Sequence, residues 1–241
     1  RGLGDVYKRQ NLISSHSIMR NIRILILKFR NQLQPNEIKW FRGAVIHALS
    51  KDDVLFHNHI DKNYRYAYPL IQYKLINRCA TILCIEEGVE AIGNFFSNYN
   101  NLIQIGEKNM SLEIDYLRPS VFLLEVTERV SRYSLHRWIP LNHENYQVYR
   151  TLEKDEQRIH LLQKILIGNI LSCLKGLNIY LDKRITCRIQ EITRMHTISN
   201  KGVNLLAFDL IFTANLSLPP YIGLGKNASI NCGILTLAHK N

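Results

Sequence analysis

The strongest constraint on this chain is the order in which short β-rich runs and amphipathic helical stretches follow one another between residues 19 and 130. "NIRILILKF" (Asn21 to Phe29) is β-rich and partly alternating, as expected of a strand with one well-buried face. After "RNQLQP", the residues Ile38, Phe41, Val45 and Leu49 recur at steps of three and four, with Pro35 near the first turn of the implied helix. "YRYAYPLIQYKL" and "ATILCIEE" follow as two strand candidates, and "INRC" between them is short enough for a hairpin. "GVEAIGNFFSN" then places Val89, Ile92 and Phe96 on one helical face, and "SLEIDYLRPSVFLLEV" closes the half as extended chain.

The order β-α-β-β-α-β is that of the ferredoxin-like motif. From "SRYSLHRWIPL" onward the theme repeats less cleanly. "HENYQVYRTLEKDEQRIHLLQKILIGNILSCLKGL" carries Leu162, Ile165, Leu166, Ile170, Cys173, Leu174 and Leu177 on one stripe and predicts a single amphipathic helix ending at Gly176. "RITCRIQEITRM" and "VNLLAFDLIFTANL" predict two strands joined through "SNKG". At 241 residues the chain can bury one large core or two small ones. The resulting expectation is an α+β protein of two tandem ferredoxin-like (RRM-like) domains, residues 19–130 and 131–241, with a glycine-rich loop near the C-terminus. "RGLGDVYKRQ" at the start is similar to the translation of a sequencing adapter, and Met19 offers a start, so residues 1–18 are expected to be a non-native or disordered tail. A genuine basic tail is the alternative.

Thirty-one Lys and Arg against twenty Asp and Glu give a formal charge of +11, an excess that attracts polyanions and favours nucleic acid as a partner. Five cysteines without a C-x-x-C pair point to reduced thiols and away from a zinc site. Charges break the apolar runs well short of the roughly 18–20 residues a membrane span needs. The expected setting is cytoplasmic, with no membrane partner, no metal and no cofactor.

Three features could carry chemistry. His57 and His59 sit one residue apart, so on extended chain they point to opposite faces and are not expected to share one task. Beside them, Tyr64, Tyr66, Tyr68 and Tyr73 are interleaved with Lys62, Arg65 and Lys74, which suits either sheet packing or RNA contact. In "LPPYIGLGKNASINCG", Gly223, Gly225, Lys226, Ser229 and Gly233 would let backbone N–H groups approach phosphates, with the lysine adding charge. A plain glycine-rich surface turn is the alternative there, because the spacing is not that of a Walker A loop and no helical pattern follows.

Taken together, "FRGAVIHAL", "LFHNH", "YRYAYPLIQYK", "ILCIEEGVEAI", "GNILSCLKGL" and "LPPYIGLGKNAS" resemble the CRISPR-associated endoribonucleases of the repeat-associated mysterious protein (RAMP) superfamily, which cut the repeats of precursor guide RNA. The resemblance runs from Phe41 to Ser229. It implies metal-independent cleavage by 2′-OH attack, with His59 as the catalytic histidine, His57 as the alternative and Tyr66 assisting. It also implies RNA contacts from the loop, here Gly223, Gly225, Lys226 and Ser229, while Lys62 and Arg65 are assigned to RNA by their proximity in sequence to the histidines. Implied partners are CRISPR repeat RNA and precursor crRNA, with other interference-complex subunits and a second copy of the chain as further candidates. A non-catalytic RAMP-type subunit that holds crRNA is the alternative function. One departure stands out: where the family's loop usually ends S-x-G-F-G, this chain reads Ser229-Ile230-Asn231-Cys232-Gly233.

Overall fold

The structure, a computed structural model, describes residues 19–47, 59–60, 63–64, 68–98, 102–200 and 202–238. Strand β1 (Arg20–Gln32) is its centre, because both of its faces are buried. Leu25, Leu27 and Phe29 point to one side, where Phe41 and Val45 of α1 (Ile38–His47) and Ile92 and Phe95 of α2 (Glu87–Asn98) cover them. Ile22, Ile24 and Ile26 point to the other side and enter a core shared with the C-terminal half. The sequence suggested one well-buried face for this strand. The second is buried because the other half of the chain packs on it.

Around β1 the first sheet takes the order β4-β5-β1-β8, all antiparallel, with β4 at Ile71–Ile76, β5 at Cys79–Ile85 and β8 at Ile114–Leu124. This is the ferredoxin-like order. The β4–β5 hairpin turns on Asn77 and Arg78, whose φ angles of 52° and 66° fit the two-residue turn that matches strand twist. Strand β4 starts later than the sequence suggests, since Tyr68 and Pro69 precede it. Two short hairpins add to the motif: β2 (His59–Ile60) with β3 (Asn63–Tyr64), and β6 (Ile103–Ile105) with β7 (Lys108–Met110).

In the second half, β9 (Val126–Trp138), β10 (Cys187–Asn200), β11 (Val203–Leu216) and β12 (Ile234–Leu237) repeat the order as β10-β11-β9-β12. The single long helix suggested by the sequence is two, α3 (His143–Thr151) and α4 (Asp155–Gly176). The chain leaves α3 at Leu152 in extended geometry (φ −73°, ψ 124°), and α3 sets Tyr149 against Phe208, with ring centroids 6.0 Å apart. Helix α4 keeps the expected stripe, burying Leu162, Leu166, Ile170, Cys173 and Leu174. Between β11 and β12, where the motif would place its second helix, runs the glycine-rich loop.

Ile22, Ile24, Ile26, Leu83 and Ile85 of the first sheet share one core with Leu135, Leu166, Ile170, Leu216 and Leu224 of the second half. Five aliphatic side chains at about 1.5–3 kcal/mol each give an upper figure on the order of 10 kcal/mol, comparable with the whole stability of a domain. Separating the halves would forfeit it. Among the described residues, no helix is long and apolar enough to cross a membrane.

Tyr133 fixes the point where β11 runs into the loop. Its buried hydroxyl donates to Leu216 O (2.9 Å) and accepts from Leu218 N (3.0 Å). Tyr133→Phe strands both backbone groups and is expected to cost about 1–3 kcal/mol. Urea denaturation should show a lower midpoint at unchanged slope, and an unchanged midpoint would contradict the role.

Candidate nucleic-acid interface

The loop from Ser217 to Gly233 reaches across to the first sheet and pairs with the free edge of β4. Tyr73 N donates to Ser229 O (2.8 Å), Asn231 N donates to Tyr73 O (2.9 Å), and Ile230 forms a parallel bridge with Tyr73. Leu75 N donates to the Asn231 side-chain oxygen (2.9 Å). Two fully buried polar side chains extend the attachment. Gln72 accepts from Gly223 N (2.8 Å) and donates to Tyr68 OH (2.9 Å), and Tyr68 OH donates to Gly223 O (2.8 Å). Lys74 donates to Ala228 O (2.6 Å) with none of its surface exposed. On the opposite side of β4, Tyr73 packs edge-on against Phe41 at 5.9 Å. In this part of the basic, aromatic stretch, Tyr68, Tyr73 and Lys74 therefore build the protein interior.

The loop's glycines divide by task. Gly223 is buried and its N–H is used by Gln72. Gly233 has φ +59°, and a Cβ there would stand 1.8 Å from Leu224 O, so only glycine fits. Gly225, at φ +82°, lies against Trp138, whose indole N–H donates to Asn169 (2.9 Å). Asn231 stands where the family pattern carries glycine and takes the same left-handed conformation (φ 54°), which asparagine tolerates better than most residues. Cys232, in place of the aromatic, is buried.

What remains nearer the surface is the turn from Gly225 to Ser229, in which Gly225, Asn227 and Ser229 are half-buried and Ala228 is buried. Lys226 is exposed. The N–H groups of Gly225, Asn227, Ala228 and Ser229 have no hydrogen-bond partner among the described residues, while Lys226 N donates to Ile139 O (3.2 Å). Unpaired amides beside a lysine are a chemistry suited to phosphate oxygens.

Of the residues singled out in the first half, His57, Lys62, Arg65 and Tyr66 lie outside the described residues, as do residues 1–18 and Leu49. His59 is described by its backbone alone, which opens β2 opposite Tyr64. Gly223, Gly225, Lys226 and Ser229 are brought together in the loop. Sequence reasoning missed the loop-holding roles of Gln72 and Lys74, although two polar residues alternating within the apolar strand "IQYKLI" are their signal. It also missed Arg137, whose Nε donates to Asn231 O (3.1 Å) and whose own N–H donates to Asp209 (2.6 Å).

Two ferredoxin-like sheets fused through one core, with a glycine-rich loop in place of the last helix, define a RAMP-type protein. Its residues 20–120 match the family model for the Cas6b N-terminal domain and residues 125–237 that for the Cas6b C-terminal domain. The chain belongs to the Cas6b family. An uncharacterized Methanocaldococcus jannaschii protein, MJ0978, is 30% identical over 138 residues, spanning 55% of this chain and 92% of that protein. A crystal structure of Cas6b superposes with a TM-score of 0.81 at 23% identity, covering 91% of this chain and all (100%) of the other. A second, of the CRISPR RNA processing endoribonuclease Cas6b, gives 0.71 at 22% identity with the same 91% and 100% coverage.

Burial in a site with one carbonyl partner lowers the Lys74 pKa from 10.5 to about 7. As pH falls from 10.5 to 7, the unfolded chain takes up a proton that folded Lys74 does not, so the protein loses stability across that window and levels off below it. Lys74→Met should remove about one proton's worth of slope between those limits. Denaturation of both proteins along a pH series checks this, and parallel curves would contradict a buried, deprotonating lysine.

Proposed function

We propose that this chain is a metal-independent endoribonuclease that cuts CRISPR repeat RNA within precursor crRNA. The observation that carries the reading is its membership of the Cas6b family across both halves, residues 20–120 and 125–237. The exposed turn around Lys226 supports it, because its unpaired amides and ammonium suit an RNA backbone.

The ribose 2′-OH beside the scissile phosphate attacks phosphorus in line. The P–O5′ bond breaks, leaving a 2′,3′-cyclic phosphate on one fragment and a 5′-OH on the other. Such a step needs removal of the 2′-OH proton, stabilisation of the charge gathering on phosphorus, and a proton for the departing 5′-oxygen. We assign proton transfer to His59, with His57 as the alternative, since an imidazole exchanges protons near neutral pH. Tyr66 orients the reacting groups, and Lys62 and Arg65 supply positive charge. Gly223, Gly225, Lys226 and Ser229 belong to the loop that holds the repeat: Gly225 to Ser229 form its RNA-facing turn, and Gly223 is its packed base. No metal ion enters the step.

The fold favours loops over a sheet face as the place of recognition. RRM-like modules stack single-stranded bases on an open sheet, yet here the central strands β1 and β5 are covered on one face by α1 and α2 and on the other by the second half.

Single-turnover cleavage of labelled repeat RNA tests the proposal. Excess chelator should leave the rate unchanged, a 2′-deoxy nucleotide just upstream of the cut should abolish cleavage, and His59→Ala should lower the rate by orders of magnitude, about 10²-fold or more, while RNA still binds. Loss of cleavage with chelator, or cutting of the deoxy substrate, would make water the nucleophile and overturn the mechanism. Tight binding by the parent protein without any cutting would leave a crRNA-holding subunit.

A further inference from the structure

Between the start of α1, the end of β9, strand β10 and the glycine-rich loop lies a cavity of about 350 Å³ that shares only Asn227 with the RNA-facing turn discussed above. Arg137, His196 and Lys39 line it, with Asn36, Asn227 and Ile230, and no carboxylate is among its lining residues. Resting on the RNA reading above, we infer that this cavity is a phosphate subsite for one nucleotide of the bound repeat, with Arg137 and His196 as its inner donors and Lys39 at its rim.

Four observations converge on an anion. His196 lines the cavity, and its Nδ1 has no hydrogen-bond partner among the described residues. Arg137 is fixed at the wall by its Nε bond to Asn231 O (3.1 Å) and stands beside the Cys232 thiol. Burial pushes that thiol's pKa up, so the thiol stays neutral at pH 7 and does not cancel the guanidinium. The Asn227 N–H faces no partner among the described residues, and this turn abuts the cavity. Finally, Arg137 holds left-handed backbone (φ 54°), an uncommon conformation for such a residue, between Asn227 and Asn231 in the same conformation (φ 59° and 54°), which asparagine tolerates.

Size separates one nucleotide from a longer stretch, since about 350 Å³ is at the small end of ligand pockets. The side chains of Ile198 and Ile230 give the polar cluster an apolar wall against which a ribose or base can rest. The charged groups around His196 are Arg194 on its own strand, Arg137 on β9, Asp209 on β11 and Lys39 on α1. Burial, helped by Arg194 and Arg137 and opposed by Asp209, holds the imidazole pKa below its ordinary value. A bound phosphate would reverse that direction.

The test has two arms. In the first, the unaltered full-length protein is titrated with uridine 3′-monophosphate and, separately, with inorganic phosphate, and the imidazole proton resonances of His196 are followed by NMR. They should move saturably, and the pKa of His196 should rise when the nucleotide is bound. In the second, Lys39→Gln/His196→Gln should lower repeat-RNA affinity by about 10-fold at about 0.15 M salt and flatten the salt dependence by about 0.7 per lost phosphate contact. Should the parent fail to bind repeat RNA while His196 still responds to the nucleotide, the proposed function would fall and the anion site would stand. Should His196 ignore both anions while the variant keeps the parent's RNA affinity and salt slope, the subsite would be overturned.

Discussion

The pairing of Ser229, Ile230 and Asn231 with the edge of β4 is the contact on which the rest of the molecule depends. A sheet edge carries unpaired N–H and C=O groups, and here the chain covers them with a segment from its own other half. Lys74 and Gln72 complete the attachment from inside, one capping the Ala228 carbonyl and the other accepting the Gly223 N–H directly and reaching its carbonyl through Tyr68. Each of these groups would be costly to bury alone. Together they satisfy one another, which is why a buried lysine can stand in the path between two sheets.

That attachment positions the candidate RNA surface. The inner part of the loop is consumed by packing against β4, Trp138 and Leu224, which leaves Lys226 at the exposed tip of the turn. Arg137 connects the two regions, since its carbonyl receives Gly233 N (3.0 Å) and its side chain holds Asn231. The exposed turn is thus mounted on a rigid base, the arrangement that a binding site needs if its donors are to be in place before the ligand arrives.

Much of the fold was legible because it is written in local periodicity. The three- and four-residue steps through Ile38, Phe41 and Val45 and through Leu162, Leu166, Ile170 and Cys173 are the faces of α1 and α4 that are buried. "INRC" turned where a short turn was expected. The break at Leu152 left no mark, since no glycine or proline interrupts the helical composition there. The second buried face of β1 and the docking of the loop on β4 were invisible for a different reason: both are contacts between residues far apart in the chain, and strand alternation cannot say what covers a face. Within the candidate site, the glycine-rich loop was readable as a unit, but its division into packed Gly223 and Gly233 and an outward turn at Lys226 is set by β4. Of the two readings open for Lys74, sheet packing and RNA contact, the structure takes the first, because its strand position faces the loop and buries it against Ala228 O.

Amide hydrogen exchange at Tyr73, Leu75 and Asn231 tests the central claim most directly. If the loop is a true extension of the first sheet, these three amides should exchange as slowly as those pairing β1 with β5, through opening that approaches global unfolding, while Asn227, Ala228 and Ser229 exchange fast. Rapid exchange at Tyr73, Leu75 and Asn231 alongside a protected β1–β5 pairing would show that the loop is only resting on β4, and the account of how the two halves hold one RNA-facing turn would be wrong.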